Sequence, residues 1–117
     1  MYDRIVIAVD GSDEARRAAR RGLQLARVFD ATVTVLSVVE QKTLRLTETS
    51  AERTRLRERG EDALTDIEEL ASELGHPVTT TQTEGKPAVR ISEYADEQDA
   101  DLILVGRQGV TGLGRRL

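Results

Sequence analysis

The sequence predicts an α/β fold, an open parallel sheet with helices on both faces. Three observations carry that class. Short apolar, β-branched runs recur at residues 4–9, 32–39 and 102–105. Amphipathic stretches with three- and four-residue spacing lie between them, and turn residues mark each change of period. A short apolar run bounded by turns reads as a strand buried on both faces. Strict strand–helix alternation then requires right-handed crossovers and parallel pairing. At 117 residues the chain makes one such domain, spanning 1–117.

Each element has a local cause. Residues 4–9 stop at Asp10-Gly11-Ser12, a turn in which Ser12 can cap a helix whose first turn carries Asp13 and Glu14, acids that complement the dipole. In that helix Ala15, Ala18, Ala19, Gly22, Ala26 and Phe29 form one small-residue face, with arginines elsewhere. Residues 32–39 are the second strand, and residues 40–50, which show no period, read as a long loop. A second helix follows, with Leu56, Gly60, Ala63, Ile67, Leu70, Ala71 and Leu74 on one face and a stop at Gly75-His76-Pro77. Its arginines come early and its acids late, an order the helix macrodipole disfavours. Residues 78–84, polar and threonine-rich, suit an edge strand. Gly85-Lys86-Pro87 opens the third helix with proline at its tolerated first position, and Ala88, Ile91 and Ala95 face inward. The fourth strand, 102–105, runs into Gly106-Arg107-Gln108-Gly109-Val110-Thr111-Gly112-Leu113-Gly114-Arg115-Arg116-Leu117, which is glycine-rich, basic and free of acids.

Composition removes several function classes. A net charge of −4 and an aromatic content of 3% argue against a nucleic-acid partner or an anionic membrane surface. There is no cysteine for thiol catalysis or a zinc ribbon. His76, the single histidine, lies in a connecting turn and is expected at the surface, which leaves no His-based triad. The apolar runs are far too short to span a bilayer, and a strand starts too close to Met1 for a signal peptide. A soluble cytoplasmic protein is therefore expected.

Ligands of open α/β sheets bind beyond the carboxyl ends of the strands. Here those ends bring together Ala8, Val9 and Asp10, then Ser37 and Val38, then Glu84 and Gly85, and finally the Gly106 turn. Asp10-Gly11-Ser12 can supply an acceptor to an adenine amino group or a metal, and it serves equally as a turn with a helix cap. Asp13 and Glu14 would repel a phosphate at the first helix. Phosphates are better placed at Gly106 and Gly109, beside Arg107, Arg115 and Arg116, because glycines let backbone N–H groups approach an anion. Neither the dinucleotide fingerprint nor a Walker sequence is present.

Together, Met1-Tyr2-Asp3-Arg4-Ile5-Val6-Ile7-Ala8-Val9-Asp10-Gly11-Ser12, Glu84-Gly85-Lys86-Pro87 and Ala100-Asp101-Leu102-Ile103-Leu104-Val105-Gly106-Arg107-Gln108-Gly109 resemble the universal stress protein family. Its ATP-binding branch closes on G-x-x-G, a spacer and G-[ST]. Gly106 and Gly109 match the first pair, and the third glycine would fall beyond Leu117. The resemblance implies that Asp10 and the Val38 backbone hold adenine while Gly106 and Gly109 meet ribose and phosphates. Ser37 stands where members often carry His. It further implies strand order 3-2-1-4, with the family's fifth strand missing and the domain incomplete at its C-terminus. The fourth strand would then be an exposed edge, and residues 106–117 the least settled part of the chain.

The function so implied is a regulatory stress-response module that binds ATP or AMP with little or no hydrolysis. Mg2+ would come with the nucleotide through Asp10, and the intact protein would be a homodimer. Two alternatives stand beside it. One is a weak metal-dependent ATPase or phosphotransferase in which Asp10 or Glu84 helps hold the ion, and the other is a ligand-free interaction domain.

Overall fold

The computed structural model describes residues 2–107 and 110–115, with the backbone alone described for 107 and 110–115. Its elements are β1 (Arg4–Val9), α1 (Asp13–Phe29), β2 (Thr32–Glu40), α2 (Gln41–Leu46), α3 (Ser50–Glu73), β3 (Thr79–Gly85), α4 (Pro87–Glu97), β4 (Leu102–Arg107) and β5 (Val110–Arg115). The sheet order is β3-β2-β1-β4-β5. The first four strands are parallel, in the expected order 3-2-1-4.

Two expectations about the elements give way. Part of the stretch read as a loop is the short helix α2, fixed by Leu44, the residue of that helix that is buried. Six residues carry too little periodicity to stand out in a sequence. The glycine-rich tail is not only a turn, because residues 110–115 return along β4 as an antiparallel strand, from Arg107↔Val110 to Leu102↔Arg115. The expected exposed edge of β4 is therefore covered. A tight reversal suffices for antiparallel pairing, whereas a parallel fifth strand needs a crossover of a dozen residues or more.

Helices α1 and α3 share one face of the sheet. They pack on Ile5, Ile7 and Val9 of β1, Val33 and Val35 of β2, and Leu102 and Leu104 of β4. Small residues let α1 lie close, and a side chain on Gly22 would come within 2.9 Å of Ile7 Cδ1. Ser12 caps α1, its hydroxyl accepting from the Ala15 amide at 3.1 Å, and Thr49 caps α3 through the Glu52 amide at 3.1 Å. On the other face α4 stands alone, packing Ile91, Tyr94 and Ala95 against Val6, Leu36 and Val38. Ala88, expected inward, is exposed. His76 is half-buried rather than at the surface, and its Nε2 lies 2.6 Å from the Ala31 carbonyl, fastening the turn after α3 to the start of β2.

Candidate functional site

Strand β1 ends in a turn built by its own side chain. Asp10 Oδ1 accepts from the Ser12 amide at 2.9 Å, and Gly11 sits at φ +85°, where a side chain would be strained. The bland role foreseen for Asp10-Gly11-Ser12, turn plus cap, is thus real. It also leaves Asp10 exposed at the top of the sheet.

Asp10 borders three adjoining cavities. The first, about 340 Å³, lies between α1 and α3 and is charged, with Asp13, Asp62 and Arg59 around an Arg16–Asp66 ion pair of 2.9 Å. A second, about 240 Å³, opens over the end of β2 beside Ser37, Thr43, Arg59 and Gly60. The third, about 180 Å³, lies on the opposite face, between the ends of β1, β2 and β4 and the start of α4. Its walls are apolar: Ala8, Val9, Val38 and Val105 from the strands, Pro87 and Ile91 from α4. Asp10, Glu40 and the Gly106 backbone stand around them.

Five residues singled out in the sequence, Ala8, Val9, Asp10, Val38 and Gly106, therefore surround one cavity. Ser37 does not join them. It is buried on the α3 face, where its hydroxyl would lie 2.7 Å from a side chain placed on Gly60. Gly85 pairs with Glu40 at the end of β2 and is buried outside the cavity walls. Arg107 ends β4 opposite Val110, whereas pairing with Leu102 carries Arg115 to the amino end of β4. The hairpin thus takes Arg115 away from the expected phosphate position. Gly109 and Arg116 lie outside the described residues.

Gly106 has a second, structural reason to be glycine. A side chain there would fall 2.8 Å from Ala15 Cα and 2.9 Å from the Glu14 carbonyl, so the first turn of α1 packs directly on its backbone. Glu40, Pro87, Ile91 and Val105 were missed as cavity residues. The apolar spacing of α4 and the buried fourth strand were signals for the last two, while Glu40 was lost in the loop reading. Glu84, an ion ligand in the enzymatic alternative, is held elsewhere. Arg57 donates to it from Nε at 2.6 Å and from Nη2 at 3.3 Å, which keeps the Glu84 carboxyl below its ordinary range. Among the described residues no group of three or more His, Asp or Glu could hold a metal ion. Among them, too, no helix is long and apolar enough to cross a membrane.

Comparison with known proteins agrees with this architecture. The family model described as "Universal stress protein family" matches residues 1–117. A universal stress protein of Methanocaldococcus jannaschii is 39% identical over 121 residues, covering 100% of this chain and 71% of that protein. The crystal structure of a family protein from Burkholderia pseudomallei superposes with a TM-score of 0.74 at 27% identity, covering 92% of this chain and 83% of that one. A universal stress protein solved in complex with cAMP shares the fold, with a TM-score of 0.69 at 24% identity over 87% of this chain and 74% of its own. The chain belongs to the universal stress protein family.

Proposed function

We propose that the 180 Å³ cavity at the carboxyl ends of β1, β2 and β4 receives the adenine base of a nucleotide, and that the protein is a binding module that couples nucleotide level to a stress response. The observation that carries this reading is the composition of the cavity. An apolar slot formed by Ala8, Val38, Val105 and Ile91 suits a base, and Asp10 and Glu40 in its lining would supply acceptors for an exocyclic amine. The complex of a fold relative with cAMP supports an adenine ligand. Ribose and phosphates would extend past the Gly106 backbone toward Arg107.

Catalysis is not part of the proposal. Phosphoryl transfer depends on placed charge and an oriented nucleophile. The site offers no histidine, and its carboxylates, Asp10 and Glu40, are the groups assigned to the base. No resident divalent ion is invoked.

Titration calorimetry with ATP, AMP and cAMP tests the reading, with phosphate release measured in parallel. We expect binding of at least one adenine nucleotide and no turnover. Ile91→Trp, which fills the cavity, should weaken binding about tenfold or more, about 1.4 kcal/mol per decade. Binding unaffected by that change would place the site elsewhere, and metal-dependent phosphate release would make the protein an enzyme.

A further inference from the structure

The 240 Å³ cavity over the end of β2 lies outside both the slot proposed for the base and the Arg16–Asp66 ion pair. We propose that it is a second ligand site, one that takes a free α-amino acid with a small aliphatic side chain. The site is independent of the nucleotide reading.

Its floor is unsatisfied. Ser37 is 2% exposed and lines this cavity, yet its hydroxyl makes no hydrogen bond among the described residues. A buried hydroxyl left unpaired costs free energy and calls for a partner. Gln82 is the register neighbour of Ser37 on β3, and its amide is oriented by Nε2, which donates to the Arg57 carbonyl at 3.2 Å. The Gln82 Oε1 is thereby turned inward, buried and without a partner. Both oxygens converge on Gly60, where a side chain would fall 2.7 Å from Ser37 Oγ and would clash with Gln82 Oε1. Glycine inside a helix as long as α3 weakens it, and here it admits two oxygens that nothing opposes. A helix, a central strand and an edge strand thus each accept a local cost at one point. Local costs gathered in this way mark functional ground more often than packing.

The walls give the chemistry of the ligand. Val39 and Leu56 form an apolar side, and acceptors dominate the rest: the Ser37 and Thr43 hydroxyls and the carboxylates of Asp10 and Glu40. The one cation in this lining is Arg59, exposed and without an ion pair among the described residues. A lone anion would meet two carboxylates against one guanidinium, and a lone cation would leave Arg59 unanswered. A zwitterion answers both. Its ammonium donates to Ser37, Thr43 and Glu40, and its carboxylate takes the planar fork of Arg59. Glu40 also borders the base slot, and its two oxygens can serve one cavity each. A water takes about 30 Å³ of liquid, so the cavity has room for a small organic molecule whose carbon chain lies on Val39 and Leu56.

L-Valine is the probe, with isovalerate and isobutylamine as its halves and ribose as a neutral polyol. In a heteronuclear NMR titration of the unmodified chain, valine at millimolar concentration should shift the Ser37, Thr43 and Gly60 amides saturably. Each half alone should bind about tenfold more weakly or worse, and so should ribose. Arg59→Gln, at an exposed position, should weaken valine about tenfold and leave nucleotide affinity unchanged. Ser37→Ala should weaken valine as much while the melting temperature holds or rises, because no hydrogen bond is lost with the hydroxyl. If Ser37→Ala impairs folding, as circular dichroism would reveal, Arg59→Gln decides alone. No saturable shift with valine overturns the proposal. So does ribose or isovalerate binding as tightly as valine, or valine affinity that either substitution leaves unchanged.

Discussion

The two faces of the sheet are built to different standards. Among the described residues, α1, α3 and the strands beneath them share a core cluster of seventeen buried residues, while the cluster on the α4 face holds four. The difference separates holding the fold from serving it. Tight packing confines the open space of the dense face to polar cavities at the strand ends, and the apolar 180 Å³ slot is found where a single helix covers them. The larger of those polar cavities is charged and occupied by its own ion pair.

The largest effect should come from emptying the dense face. Leu23, fully buried on α1, contacts that layer, and Leu23→Ala should cost about 2–5 kcal/mol in denaturant unfolding. Loss of only a few tenths would mean that the layer is loosely packed. Gly106→Val joins the two faces, because its side chain would press on the α1 backbone while its own backbone borders the slot. It should cost about 1–3 kcal/mol of stability and reduce nucleotide affinity as well. A loss of affinity with unchanged stability would reverse the order of its two roles.

Smaller still should be Val38→Ala on the thin face, at about 1 kcal/mol or less, since Val38 is only half-buried. Its fractional effect on nucleotide binding should exceed that of Leu23→Ala. The smallest effect concerns acid. Asp101 accepts from the Arg4 amide at 3.0 Å and the Asp3 amide at 2.8 Å, and these bonds, Arg4 first, hold its carboxyl below the usual range. Its folded-state pKa is depressed, so its contribution is present above the ordinary aspartate value and fades as pH falls through the depressed one. Melting temperature followed from about pH 6 to pH 3 should fall less steeply for Asp101→Asn than for the unmodified chain.

Strand positions and the dense face were legible because apolar runs and small-residue spacing are local properties. Ser12 and Pro87 lie at helix starts where side-chain chemistry alone places them, whereas the Thr49 cap was lost in the loop reading. The slot was half legible. The rule that ligands sit at carboxyl ends found Ala8, Val9, Asp10, Val38 and Gly106, but face was invisible, and Ser37 faces the other way from Val38 by strict alternation along the strand. The β4–β5 pairing was hidden because Gly112 and Gly114 look like loop residues, and pairing with β4 overrides their weak strand preference. His76 was misplaced because its carbonyl partner, Ala31, is far away in sequence.

The central position of β1 has a consequence for how the chain folds. Its pairing with β2 needs only the α1 crossover, but its pairing with β4, Ile5↔Leu102 onward, closes a loop of nearly the whole chain. Loop closure over that length is entropically costly and sets a slow, late step. During synthesis β1 emerges before the other strands of this sheet and waits for residues 102–105 before its second side is sealed. Until then Ile5, Val6 and Ile7 stand on an open edge, which makes the early β1-β2-β3 half prone to aggregate.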